Sequence, residues 1–155
     1  MQRRAMDNSI KEKIQALLDQ HRTMRIATLR ADGWPQVTTV GYANEGLTIY
    51  FLCGLDSQKA QNLSRDDRVS LAIDDDPAQV MDITGLSMAA RARTLTDPAE
   101  IDKAIRLLMS RYPEQKAAGL PMPNPSEVRL IGLTPTVISL LDYSKGFGHT
   151  DLVVC

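Results

Sequence analysis

Three β-prone segments joined by two short turns constrain this chain more than any other feature. They run from Met24 to Leu29, Gln36 to Tyr42 and Leu47 to Leu52, and they are rich in β-branched, aromatic and aliphatic side chains. Asp32-Gly33 and Asn44-Glu45-Gly46 stand between them and read as reversals. Links this short allow only antiparallel neighbours, since a parallel crossover needs a dozen or more residues. The segment is therefore expected to be a meander. A fourth strand is expected over Arg68 to Ile73, where Val69, Leu71 and Ile73 alternate with Ser70 and Ala72 and so define one buried face.

Helices are expected around this meander. Ser9-Ile10-Lys11-Glu12 has the form of a capping box. Ile10, Ile14, Leu17 and Leu18 then fall on one face, and the helix should fray near His21. A short helix is expected over Ser57 to Leu63. Asp97 and Pro98 suit the cap and first position of another, with Glu100 placed to reach back to the cap. Its apolar stripe is Ile101, Ala104, Ile105, Leu108 and Met109, and Pro113 should end it.

The remaining strands are expected over Val80 to Leu95, Val128 to Leu133 and Thr136 to Leu141. Gly85 marks a bulge or a close backbone approach in the first, and Thr134-Pro135 separates the last two. Gly119 to Pro125, with three prolines, should lack regular structure, and 143–155 forms a glycine-punctuated tail. About seven strands with short links and interspersed helices point to a mainly β (α+β) antiparallel barrel, not a doubly wound sheet. No Gly-x-Gly-x-x-Gly follows a strand, which argues against a Rossmann site. The reading is one domain over 1–155: an N-terminal helix within 1–22, a barrel with inserted helices over 23–142, and the tail.

Charge and cysteine content narrow the function classes. A net charge of -1 gives no broad attraction to nucleic acid or an anionic membrane. No run approaches eighteen apolar residues, and Met1-Gln2-Arg3-Arg4 leads into a polar helix, so neither a span nor a leader is expected. Two distant cysteines, Cys53 and Cys155, form no disulfide framework and no zinc pattern, which suits a reducing cytoplasm. Asp74-Asp75-Asp76 reads as a solvated loop and not as a metal site, because no further ligand spacing follows.

Three places carry chemistry-bearing groups. At Ser57-Gln58-Lys59 a strand ends and a helix begins. Free N–H groups of a first turn favour an anion, and a lysine there opposes the helix dipole unless an anion binds. An ordinary capped surface helix is the competing reading. Thr38, Thr39 and Val40 offer hydroxyls on both faces of a strand beside apolar surface. In Lys145-Gly146-Phe147-Gly148-His149, Phe147 can stack on a ring and His149 can titrate near neutrality. Cys53 has no neighbouring His or second Cys in sequence to activate it, so a small buried or ligand-facing thiol is expected.

As a set, residues 24–73 resemble the pyridoxamine 5′-phosphate oxidase-like family of FMN-binding split barrels. The resemblance rests on Met-Arg-Ile-Ala-Thr-Leu-Arg-Ala-Asp-Gly-Trp-Pro, Thr-Thr-Val-Gly-Tyr, Leu-Thr-Ile-Tyr-Phe-Leu, Ser-Gln-Lys-Ala-Gln-Asn-Leu and Arg-Val-Ser-Leu-Ala-Ile in that order. It implies a split barrel, a homodimer with cofactor at the interface, and FMN-dependent oxidoreductase activity on a small molecule. Ser57, Gln58 and Lys59 would hold the cofactor phosphate. Thr38, Thr39 and Val40 would lie along the ring. Leu52 and Cys53 would contribute from the next strand, and Phe147 from the tail of the partner. The true oxidase carries arginines where Thr38 and Gln58 stand and has a longer basic C-terminal region, so a relative is expected and not vitamin B6 synthesis. F420 or haem on the same barrel, or a non-catalytic flavin-binding or stress-response module, are the alternatives.

Overall fold

The computed structural model describes residues 2–121 and 123–155, the first three of them by backbone alone. Nine strands join in one sheet: β1 (Gln2–Arg4), β2 (Thr23–Leu29), β3 (Pro35–Gly41), β4 (Ala43–Glu45), β5 (Thr48–Gly54), β6 (Arg68–Asp74), β7 (Thr84–Thr94), β8 (Val128–Asp142) and β9 (Thr150–Val154). The helices are α1 (Asn8–Gln20), α2 (Gln58–Arg65), α3 (Pro98–Arg111) and α4 (Pro113–Ala117).

The first hairpin and the second reversal form as expected, but the three strands do not make one continuous meander: among the described residues β3 pairs β2 alone, and β5 pairs the short β4 on one edge and β8 on the other. Gly33 and Gly46 supply the positive φ, +85° and +59°, that the two tight reversals need. β2 then pairs β3 from Thr23↔Gly41 to Leu29↔Pro35, and β4 pairs β5 across Glu45↔Thr48. The split of the barrel lies at β8. One edge of this long strand pairs β7. The other edge pairs β5 over Val128–Leu133 and β9 over Val137–Leu141. Two branches therefore leave a single strand, and the sheet curls around one interior. The antiparallel split β-barrel inferred from the sequence is the fold observed.

The interior is filled from alternate positions: Met24 and Ile26 of β2, Phe51 of β5, Leu71 and Ile73 of β6, Met88 of β7 and Ile138 of β8. Ile10, Ile14 and Leu18 of α1 close the barrel from one side. A second, smaller core forms on the outer face of β4 and β5, where Ala104 and Leu108 of α3 meet Tyr50 and Leu130.

Several expectations need correction. The cap of α1 is Asp7, whose carboxylate accepts from the Ile10 N–H at 2.9 Å, so Ser9 lies inside the helix and the capping box is not formed. Asp97 does cap α3, but Glu100 turns away from the cap to Arg93 and Tyr50. Met109 is exposed and not part of the buried stripe. Pro113 does end α3, since Tyr112 before it leaves the helical conformation and Arg111 is the last helical residue, but it also opens α4 from the first position, which was not expected. Val80–Asp82 is a 3-10 turn, so β7 starts at Thr84.

Thr134-Pro135 does not break the last strand. β8 runs through it, and the register slips there: Ala89 faces Val137 and Ala90 faces Pro135, which leaves Thr136 as an extra, bulged residue. Gly85 is a close approach, since a Cβ there would lie 2.7 Å from the Ile73 carbonyl oxygen. The tail is more ordered than expected, because β9 pairs both β8 and, in parallel, β1. Residues 119–121 and 123–125 lack helix or strand, as expected, while Met122 lies outside the described residues.

Candidate functional site

β2, β3 and α2 converge at one mouth of the barrel. The inward positions of β3 alternate, so Gln36, Thr38 and Val40 are half-buried while Val37 and Thr39 face outward. Across the ladder Thr38 pairs with Ile26, and Gln36 pairs with Thr28, whose hydroxyl is buried. β5 delivers the chain to Ser57, which caps α2 by accepting from the Ala60 N–H at 3.1 Å. The result is a groove of about 210 Å³ lined by Thr28, Gln36, Thr38, Ser57, Gln58 and Lys59.

The groove is built of donors. The Ala60 and Gln61 N–H groups are taken by Ser57, which leaves those of Gln58 and Lys59 at the helix start without a helical partner. Among the described residues no carboxylate pairs with Lys59. The Thr38 hydroxyl oxygen is fully buried and has no hydrogen-bond partner. An unsatisfied buried hydroxyl costs about 1–3 kcal/mol. Lys59, the free N–H groups and Thr38 line one groove; a bound anion would pair with the first two, and the Thr38 hydroxyl, enclosed as it stands, would join them on turning outward.

Cys53 belongs to this neighbourhood. Its side chain is buried beside Ser57 and Lys59. Burial pushes its thiol up, while the Ser57 hydroxyl, the Lys59 ammonium and then Arg129 pull the other way. The net effect of burial disfavours the thiolate.

The other sequence candidates separate from the groove. Thr39 points to the opposite face of β3. Val40 packs against the barrel core. Leu52 faces away from Cys53 into a different cavity of about 280 Å³, shared with Gly41, Leu108 and Tyr112. Phe147 is 79% exposed and stacks edge-on against Tyr143 at 5.6 Å. With His149 it lines a depression that shares no residue with the groove. His21 closes the end of α1, its Nδ1 lying 2.8 Å from the Leu17 carbonyl oxygen. Among the described residues no group of three His, Cys, Asp or Glu could hold a metal ion, and no helix is long and apolar enough to cross a membrane.

Thr28, Gln36 and Asn62 were not legible beforehand. Asn62 is fully buried and joins α2 to both strands of the groove, through Thr28 at 3.0 Å and Gln36 at 3.2 Å. Its position four residues after Gln58, on the same helix face, is the only sequence signal for it.

The family model described as pyridoxamine 5′-phosphate oxidase matches residues 10–142. No curated protein matches the chain in sequence. Among solved structures, a haem-binding protein from Mycobacterium smegmatis superposes with a TM-score of 0.78 at 18% identity, covering 96% of this chain and 59% of that one. A candidate pyridoxamine 5′-phosphate oxidase from Listeria innocua gives 0.70 at 21%, covering 86% and 98%. HutZ, a haem storage protein from Vibrio cholerae, gives 0.65 at 21%, covering 80% and 88%. At these identities the structures share the fold with this chain.

Proposed function

Because this chain belongs to the pyridoxamine 5′-phosphate oxidase family over residues 10–142, we propose that it binds FMN as a homodimer and acts as an oxidoreductase on a small molecule. The observation that carries this reading is the groove in which Lys59, the start of α2 and the orphan Thr38 hydroxyl converge. Ser57, Gln58 and Lys59 hold the phosphate there, with Thr38 as a further donor. Bound FMN supplies hydride transfer at its ring nitrogen N5, while the protein supplies binding, orientation and electrostatics.

Among the described residues β3 pairs only β2, so its other edge offers backbone groups without a strand partner there. A flavin ring can hydrogen-bond along that edge beside Thr38, Thr39 and Val40. Cys53 supplies a small neutral wall near the phosphate, and Leu52 contributes to the same strand end from its other face. Exposed Trp34 and Val37, beside a depression lined by Ala27, Ser70 and Ala89, support a second copy as the cover. In that assembly Phe147, exposed on the tail, closes the site of the partner.

Haem is the second reading, on two observations. Structural neighbours include proteins described as haem-binding. His149 also lines the roomy tail depression beside Phe147, and imidazole is an iron ligand. F420 in place of FMN is a third, as its phosphodiester suits the same donors. The mass and absorbance of the ligand released from purified protein separate these. FMN is expected. Colourless protein that leaves the fluorescence of added FMN unchanged would sink the flavin reading. FMN that no nicotinamide donor reduces would mark a non-catalytic module.

A further inference from the structure

Asn62 sits behind the groove and touches all of its amides. Its side chain is fully buried, and every polar site on it is used. Oδ1 accepts from Gln58 Nε2 at 2.8 Å and from Arg65 Nη2 at 3.1 Å. Nδ2 donates to Thr28 Oγ1 at 3.0 Å and to Gln36 Oε1 at 3.2 Å. An amide offers two donors and two acceptor sites, so this set is saturated.

The orientation is not arbitrary. A guanidinium can only donate, so Arg65 fixes which end of the Asn62 amide is oxygen. The Asn62 amino group must then face Thr28 and Gln36. Gln36 must in turn present its oxygen to Asn62, which leaves its amino group, on a side chain that lines the groove, for a different partner. The Thr28 hydroxyl, already accepting from Asn62, keeps its proton for a different partner.

We propose that Asn62 is a positioning residue for the anion groove: read outward from Arg65, it orients the Gln36 amide and the Thr28 hydroxyl so that both act as donors toward a bound phosphate. The role rests on the phosphate reading of the groove. It also accounts for how the site works without arginine at Thr38 or Gln58. Neutral donors fixed in direction by a buried hub replace part of the missing charge.

The test is the ratio of riboflavin to FMN dissociation constants, which isolates the phosphate contribution and is insensitive to general loosening of the fold. Asn62→Asp keeps the shape and the Arg65 contact but cannot donate, so the Gln36 amide reverses. Gln36→Met keeps the length of that side chain and removes its amide. Each single variant is expected to lower the ratio about tenfold. In a background carrying both Gln36→Met and Thr28→Val, Asn62→Asp should lower it by no more than about twofold, because both groups through which it acts are gone. A purely electrostatic effect of the new carboxylate would persist undiminished in that background and would overturn the proposal. So would an unchanged ratio in Asn62→Asp. If the wild type itself does not distinguish FMN from riboflavin, the phosphate reading fails and the positioning role falls with it.

Discussion

Arg111, in the last turn of α3, caps α1 by donating through Nη1 to the carbonyl oxygen of His21 at 2.5 Å. The same nitrogen reaches the Leu18 carbonyl oxygen at 3.0 Å, and Nη2 donates to Asn44 Oδ1 at 2.6 Å. The guanidinium lies over the Tyr42 ring, 5.4 Å from its centroid. The last carbonyls of a helix have no partner within it, and here a side chain remote in sequence supplies one. A single residue thus ties α1, β4 and α3 together. Arg111→Ala is expected to destabilise the fold by about 2–3 kcal/mol, since three charge-assisted bonds are lost and the His21 carbonyl loses its partner, while the Leu18 carbonyl keeps the Tyr42 hydroxyl. Arg111→Lys should recover less than half of that, because an ammonium cannot reproduce the planar fork. Urea unfolding midpoints of the three proteins check both statements.

Glu100 ties α3 to the sheet. It titrates at about 2, well below the usual 4.5, chiefly because Arg93 binds both its oxygens, at 2.6 and 2.7 Å. Partial burial opposes this, and the Tyr50 hydroxyl, donating at 3.1 Å, adds to it. A carboxylate lowered in the folded state takes up its proton in the unfolded chain first. Its contribution is therefore complete above pH 4.5 and lost as pH falls from there toward about 2. The stability difference between wild type and Glu100→Gln should be constant at neutral pH and shrink through that window. A difference independent of pH would contradict the ion pair.

Thr38 should show opposed effects on stability and binding. Its buried hydroxyl has no partner, so Thr38→Val is expected to stabilise the ligand-free protein by about 1 kcal/mol. The same change removes a donor from the groove and should weaken FMN binding several-fold while leaving riboflavin binding unchanged. Thermal melts with and without each flavin read both effects in one series.

Most of the barrel was legible because local signals and tertiary packing agree there. Gly33 and Gly46 stand where tight reversals need positive φ, and β6 alternates cleanly because one face is buried. The reading failed where a long-range contact outweighed a local signal. Pro135 looks like a turn, yet it sits within β8, where the register slip at Thr136 accommodates it. Ser9 heads a good capping box, but Asp7 stands two residues earlier and takes the cap. Residues 150–154 look like a loose end, and become a strand only because β8 extends far enough to pair with them.

The site followed the same pattern. Ser57 and Lys59 were visible because a cap and a charge are local features. Gln36 and Asn62 were not, because their roles depend on which strand α2 packs against. Arg65 makes the point most clearly: it never touches the groove lining as a local motif would, but acts through Asn62. Leu52 and Cys53, neighbours in sequence, part to opposite faces of β5, as strand geometry requires.

The central claim is that the α2 groove binds a flavin phosphate through Lys59. Fluorescence titration of FMN and riboflavin against wild type and Lys59→Met tests it directly. The account predicts saturable FMN quenching in the wild type, at least about tenfold tighter than riboflavin, and near-equal binding of the two in the variant. Equal affinity for both flavins in the wild type, or an unchanged preference for FMN in Lys59→Met, would contradict it.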